Sequence, residues 1–529
     1  MYDNDNPDTT KRNPALTYTP SEEGGYYTHY VEYKNPHCTQ DWVANNGTAS
    51  NPRCTVPREL PAGSIVEIHG TYDAPNRQVD IMSQGTKDLP VFVRGVGENP
   101  RIVVTMFVKG TYVILENLTF EDEDGDLSGG RGGNIFILAP SSYVALRHSE
   151  LIGNLSRDWG SGISVASWET GAIADQIVLY DNISRNHGQL NPLPGDPDKD
   201  FSGIVIAGGS SNVWVLDNEM YGNSGDGIMI NANDGSDGNS IHHVYVGRNV
   251  MHDNLQSGFW VKSAKDIIFS QNVSYNHRPA MNNAGTPGAC GGSQYGAERV
   301  WFMYNDLYNC DYGIYISSGN SAQRPEENMY YIGNIIHNIH NSHSKFAASG
   351  YQNSAIMIAG GVNHYIMNNT MYDVDSGMSS AASTPFYISN NIISNIAQST
   401  GSHILLELAI DPDRPLDNWH IDNNLFYQNG DDDRIRLEST GMSLSEIQTA
   451  RPSVCVHCLT ENPLFTSTSN NNFHLNSTSP AINQGTESDV YQTFQDLYGL
   501  NIRVDFDGNP RPQGGVWDIG AYEYGSSGR

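Results

Sequence analysis

Along most of this chain an alternating apolar run ends in an asparagine, and a short apolar segment and a turn follow. The run reads Gln176-Ile177-Val178-Leu179 to Asn182, then Val213-Trp214-Val215-Leu216 to Asn218. Val244-Tyr245-Val246 to Asn249, Ile267-Ile268-Phe269 to Asn272 and Val300-Trp301-Phe302 to Asn305 repeat it, and similar runs end at Asn334, Asn369, Asn391 and Asn424. The mean period is about 30 residues, with shortest steps of 22 and 23. A fixed period of this kind marks a solenoid. Twenty-two extended residues wind a perimeter of roughly 70 Å, enough for three short strands and three turns around an apolar core. Stacked parallel coils bring equivalent positions to about 4.8 Å, so an inward asparagine can bond to its copies above and below. The nine asparagines are therefore expected to form a structural ladder rather than a site.

A second strand type begins at glycine, as in Gly162-Ile163-Ser164-Val165, Gly203-Ile204-Val205-Ile206, Gly227-Ile228-Met229-Ile230, Gly258-Phe259-Trp260-Val261 and Gly313-Ile314-Tyr315-Ile316. Glycine here suits a tight bend between strands. These features resemble the pectate-lyase-like superfamily of right-handed parallel β-helices. The tail segments Asn462-Pro463-Leu464-Phe465, Ser479-Pro480-Ala481-Ile482, Arg511-Pro512 and Asp518-Ile519-Gly520-Ala521-Tyr522-Glu523 resemble the C-terminal region of exported bacterial β-helix proteins. The expected fold is all-β, a three-faced right-handed parallel β-helix. Residues 1–60 would form an N-terminal extension and cap, 61–430 the β-helix with groove-forming inserts, and 431–529 a loop-rich segment packed on it.

Composition fits this reading. There are 53 Gly and few charges, at 17 %. The net charge of −30 speaks against nucleic-acid binding, which needs a basic face. No stretch approaches the roughly 20 apolar residues of a membrane-spanning helix. Met1 runs directly into Tyr2-Asp3-Asn4-Asp5 without an apolar signal core. The simplest expectation is a secreted, extracellular bacterial protein, monomeric, with its signal already removed; a cytosolic protein is the alternative. Six cysteines allow three disulfides. Cys38 and Cys54 bracket a polar loop, Cys290 can be tied back to Cys310, and Cys455 and Cys458 form one CxxC, read as a local disulfide or two thiols.

Inserts beyond the bare coil lie near residues 187–201, 232–241, 279–297, 318–328 and 340–353, and solenoids carry binding function in such inserts. Strand alternation turns Met229 and Asn231, Trp260 and Lys262, and Tyr315 and Ser317 outward if Ile228 and Ile230 face the core. Trp260 and Tyr315 would offer ring faces to sugars, with Asn231 beside them. Residues 248–299 carry Arg248, Lys262, Lys265, Arg278 and Arg299 against Asp253, Asp266 and Glu298. This local basic excess suits an anionic polysaccharide. Val261-Lys262-Ser263 followed by Asn272 also resembles the base-bearing strand of the alginate and chondroitin-B lyase family. That resemblance implies a lysine that removes the C5 proton of a uronate, an arginine on a following coil and a possible Ca²⁺. The chain departs from it in two places: Ser317 stands where the arginine is sought, and Leu255 and Ser257 replace the acidic calcium ligands.

The expected reaction is β-elimination, with Lys262 as base, Arg278 or Arg299 as carboxylate clamp, and Tyr295 or His277 as proton donor. A retaining glycoside hydrolase is the alternative, because Asp200 and Asp226 precede Gly203 and Gly227 on successive coils, and carboxyls about 5 Å apart are what that mechanism uses. The same acids, with Asp234 and Asp237, would be the place for Ca²⁺, although no EF-hand pattern is present. A non-catalytic carbohydrate-binding solenoid is the third reading.

Overall fold

The structure is a computed structural model. It describes residues 11–39, 46–74, 77–122, 133–155, 159–169, 171–190, 200–232, 241–277, 288–317, 324–340, 353–380, 385–396, 404–408, 419–428, 435–437 and 440–525. The chain divides into two compact units, one of Met1–Asn233, Asn239–Leu255 and Asn282–Gly285, the other of Asp234–Gly238, Gln256–Met281 and Thr286–Arg529. Each is a stretch of right-handed parallel β-helix.

In the first unit each coil contributes three strands. One face stacks Gln78–Ile81, Thr105–Val108, Gly133–Leu138, Trp159–Ala166, Asp200–Ala207 and Ile228–Asn231, all parallel. The second face stacks Thr111–Glu116, Ser142–Arg147, Ala174–Tyr180, Ser210–Leu216 and Ile241–Gly247. The third is made of three-residue strands from Thr119–Glu121 to Val250–His252. Alternation decides the core: Ile163, Ile204 and Ile228 are in register and fully buried, as are Val165, Ile206 and Ile230 two residues on. A parallel strand pair also joins His29–Val31 to Ile65–Tyr72, so the expected cap region already carries the solenoid pairing.

The second unit repeats the plan from Ser257–Lys262 through Ala289–Gln294, Tyr312–Ile316, Ile356–Ile358 and Ser376–Ser380. Its interior is partly aromatic, with Phe259, Phe269, Phe302 and Tyr331 stacked at centroid spacings of 4.5, 5.7 and 5.5 Å. The C-terminal segment covers the second face of this unit. Trp301 lies 3.6 Å from Tyr330, meets Phe494 edge-on, and donates its indole N–H to the Tyr498 hydroxyl at 3.1 Å. Phe494 and Tyr498 belong to the helix Asp489–Tyr498, capped by Ser488 and ended by Gly499 in the left-handed region. Arg511 and Glu523 form a buried ion pair of 2.8 Å that holds the tail together.

The asparagine ladder is present as expected. Asn182 donates to Asn218 at 2.9 Å and Asn218 to Asn249 at 3.0 Å. In the second unit the chain of bonds runs Asn272, Asn305, Asn334, Asn369, Asn391 and Asn424 at 2.9–3.0 Å. Every one of these side chains is buried, so the ladder satisfies polar groups that water does not reach. A shorter second ladder, Asn223 to Asn254 at 2.9 Å, was not expected.

The strand-initial glycines serve a different purpose from the one expected. Gly162, Gly203 and Gly258 do not have positive φ. A Cβ at Gly258 would overlap Ser274 Oγ and stand 2.9 Å from His277 Nε2, and one at Gly162 would meet Ser184 and His187 in the same way. Glycine leaves room for a buried Ser-x-x-His pair, Ser184 with His187 at 3.1 Å and Ser274 with His277 at 3.0 Å. All six cysteines are paired, as Cys38–Cys54, Cys290–Cys310 and Cys455–Cys458.

Candidate active site

The second unit gathers several of the expected residues at the end of one strand. Lys262 closes Ser257–Lys262 with its Cα in register with Gln294 of the neighbouring strand. Two residues earlier, Trp260 sits opposite Gly292, and Gly292 opposite Tyr315. A Cβ at Gly292 would overlap the Trp260 ring and the Tyr315 carbonyl, so glycine lets the two rings stack across it at 6.2 Å and 21°. Trp260 is 2 % exposed. It therefore presents no ring face to solvent, which corrects the expected sugar platform; its indole N–H instead donates to Gln294 Oε1 at 2.9 Å. Tyr315 is half-buried.

The turn after Lys262 is fixed to the next coil. Ser263 adopts φ 55° and donates its hydroxyl to the Tyr295 carbonyl at 2.5 Å. Tyr295 and Gly296 both have positive φ, at 66° and 76°. A Cβ on Gly296 would lie 3.0 Å from Cβ of Arg324, which places Arg324 against this turn. The disulfide Cys290–Cys310 anchors the strand that carries Gln294. Among the described residues, Lys262, the Tyr295 hydroxyl and Arg324 make no ion pair or hydrogen bond through their side chains. An amine, a phenol and a guanidinium without acidic partners thus come from consecutive coils.

Beneath this turn lies Glu326, 1 % exposed. Burial raises its carboxyl to about 7. Backbone N–H groups of Glu326, Gly296 and Tyr295 offset that only in part, and neither carboxyl oxygen makes a hydrogen bond of good geometry. The carboxyl therefore holds a proton across the acidic range. Arg324 and Glu326 both escaped the sequence reading. The signal available was their place at the close of the insert near residues 318–328.

Other expected residues fall elsewhere. His277 is fully buried against Ser274, inside the coil, and cannot serve as the proton donor. Arg299 is held by Asp266 at 2.7 Å and by Glu298 at 2.6 Å. The hydrogen bond to Asp266 raises its already high pKa, and Asp266 also accepts from Tyr498 of the C-terminal helix. Its role is to fasten the tail, not to clamp a substrate. Arg278 lies outside the described residues, as do Asp234 and Asp237. Asn231 is half-buried at the end of Ile228–Asn231 in the first unit.

Asp200 and Asp226 do come from successive coils of the first unit, but with opposite environments. Asp200 is exposed, while Asp226 is 1 % exposed and donates its backbone N–H to Ser202 Oγ at 3.2 Å. Two carboxyls flanking one glycosidic bond must both open to it. This pair does not. Among the described residues, no group of three or more His, Cys, Asp or Glu side chains is placed to hold a metal ion.

No family model and no curated relative matches the chain. Solved structures with a similar course of the chain include pectate lyase Pel9A, 14 % identical with a TM-score of 0.40, covering 93 % of this chain and 96 % of that one. The periplasmic alginate epimerase AlgG is 11 % identical with a TM-score of 0.43, over 75 % and 84 %. A mannuronic acid specific polysaccharide family 6 lyase from human gut microbiota is 11 % identical with a TM-score of 0.43, over 74 % and 89 %. It is the parallel strand pairing of the chain itself, not these likenesses, that makes it a right-handed parallel β-helix protein.

Proposed function

We propose that this protein is an extracellular polysaccharide lyase that cleaves a uronate-containing chain by β-elimination at the strand end bearing Lys262. The observation that carries this reading is the placement of Lys262, Tyr295 and Arg324, each without an acidic partner among the described residues, at neighbouring turns of adjoining coils in a protein with a net charge of −30. Three disulfides and no free cysteine agree with an oxidising compartment.

In the reaction the Lys262 amine takes the proton from C5. The electrons of that C–H bond form the C4–C5 double bond as the C4–O bond breaks. The leaving oxygen receives a proton from the Tyr295 phenol. Arg324 neutralises the uronate carboxylate, which acidifies the C5 proton and stabilises the enediolate-like charge that builds there. Gln294, oriented by the Trp260 N–H, flanks the amine and can hold a sugar hydroxyl.

The hydrolase reading loses support because Asp226 is buried. Incubation with a panel of uronate and neutral polysaccharides tests the proposal. A rise in ultraviolet absorbance from the unsaturated product, abolished by Lys262→Ala, is the expected result. Reducing ends released without that absorbance would overturn it.

A further inference from the structure

The first unit carries a groove on its second face that the proposed reaction does not use. It encloses about 800 Å³. Its floor is the outward column of that sheet, with Ile114, Ala145, Val178 and Trp214 directly in register on four successive rungs. Rungs about 4.8 Å apart repeat at close to the length of one pyranose residue.

The equivalent column of the second unit is closed. There Trp301 and Tyr330 are buried under Phe494 and Tyr498 of the C-terminal helix. In the first unit Tyr18 packs on the Ile65, Phe92 and Ile114 end of the column, and among the described residues no helix covers Val178 and Trp214. Trp214 is half-buried and Tyr143, at the rim, is 49 % exposed.

The rim is aromatic and cationic. Tyr112 and Tyr143 stack at 4.4 Å with an interplanar angle of 1°. Both occupy left-handed backbone positions, φ 50° and 55°; the corresponding rungs hold Gln176, Asn212 and His243 in this unit and Asp266, Arg299, Asn328 and Asn363 in the other. Asparagine accepts that conformation more readily than tyrosine. Two tyrosines at such positions point to a use for their rings. Lys87, Arg147 and Arg248 line the groove with one carboxylate, Asp217, while Arg147 is also paired with the buried Glu116 behind the lining. Asp217 grips Nε and Nη2 of Arg248 at 2.8 and 2.7 Å, which fixes the guanidinium while Nη1 makes no bond among the described residues.

We infer that this groove is a second, non-catalytic binding site for an extended uronate oligosaccharide. The sugar rings lie over Trp214 and against Tyr143, and their carboxylates meet Arg248 and Lys87. The charge of the lining selects an acidic glycan over a neutral one, and over an apolar peptide segment.

The test uses the full chain carrying Lys262→Ala, so that turnover does not consume the probe and the outcome does not depend on the proposed chemistry. Calorimetric titration with a galacturonate hexamer should show binding that Tyr143→Ala and Trp214→Ala each weaken about tenfold. Cellohexaose should bind at least about tenfold more weakly than the galacturonate hexamer, and Arg248→Gln should narrow that gap. Because Tyr143 is exposed, its substitution keeps the test valid even if Trp214→Ala fails to fold. Unchanged affinity in Tyr143→Ala, equal affinity for cellohexaose, or a concentration-dependent dimer in sedimentation that Tyr143→Ala abolishes would each overturn the inference. The last would assign the face to a second copy of the chain.

Discussion

Glu326 makes the second unit's stability depend on pH in a direction opposite to that of most carboxylates. Its carboxyl is buried at 1 % exposure and titrates at about 7 in the folded protein against 4.5 for the ordinary group. Below about pH 4.5 both folded and unfolded chains hold the proton, and the group has no effect on stability. Between about 4.5 and 7 only the unfolded chain releases it, so stability falls by about 1.4 kcal/mol per pH unit. Above about pH 7 the accumulated cost is about 3 kcal/mol. Glu326→Gln abolishes this titration. The amide must still find partners in the same corner, so the informative quantity is the change in the difference between variant and parent. Urea unfolding at about pH 5 and about pH 8 should show the variant gaining about 2 to 3 kcal/mol relative to the parent between the two. Stability profiles that run parallel over this range would refute the buried, protonated carboxyl.

Lys262→Ala should remove the unsaturated product with the melting temperature unchanged, because the amine makes no described bond; a matched loss of fold and activity would assign Lys262 to structure. Arg299→Ala should do the reverse, lowering stability by about 2 to 4 kcal/mol by leaving Asp266 uncompensated beside Tyr498, with product formation retained in the folded fraction; thermal melts and single-turnover assays separate the two. Asn305→Ala should cost about 2 to 3 kcal/mol, since it breaks the ladder between Asn272 and Asn334 and leaves buried groups unpaired, and denaturant titration measures it. Gly291→Ala should prevent folding of its coil, because a Cβ there would overlap the Phe259 ring; a soluble variant with native near-ultraviolet circular dichroism would contradict that packing.

The coil was legible because its determinants are local and repeat. An inward side chain every second residue, and an asparagine at each two-sided turn, report the strand faces without reference to the rest of the molecule. The nine asparagines could be picked out from spacing alone, and the bonds between them follow from that spacing. The glycines were read correctly as necessary and wrongly as to cause. A sequence shows that Gly258 lacks a side chain, but not that Ser274 and His277, one turn away along the coil, fill the space it leaves. The same blindness produced the error with His277, which Ser274 and the space left by Gly258 hold inside the coil.

Outward positions are harder to read, because alternation says which way a side chain leaves the strand and not what meets it there. Trp260 leaves the core face as expected and is still 2 % exposed, and Arg299 leaves it to be taken up by Asp266 and the C-terminal helix. Whether an outward residue is a site or a seam depends on segments far along the chain, and residues 489–498 decide this for Trp301 and Tyr330 on the second face of the second unit. The two units differ here in an instructive way. One closes its aromatic column of Trp301 and Tyr330 with a helix, and the other leaves Trp214 and Tyr143 beside cations. A solenoid with a repeating outer column has to cover it, charge it or use it, and among the described residues the first unit covers its own only at the Ile65, Phe92 and Ile114 end, with Tyr18. Binding of an acidic glycan there would make the open column a functional counterpart of the closed one, built from the same rungs with a different occupant.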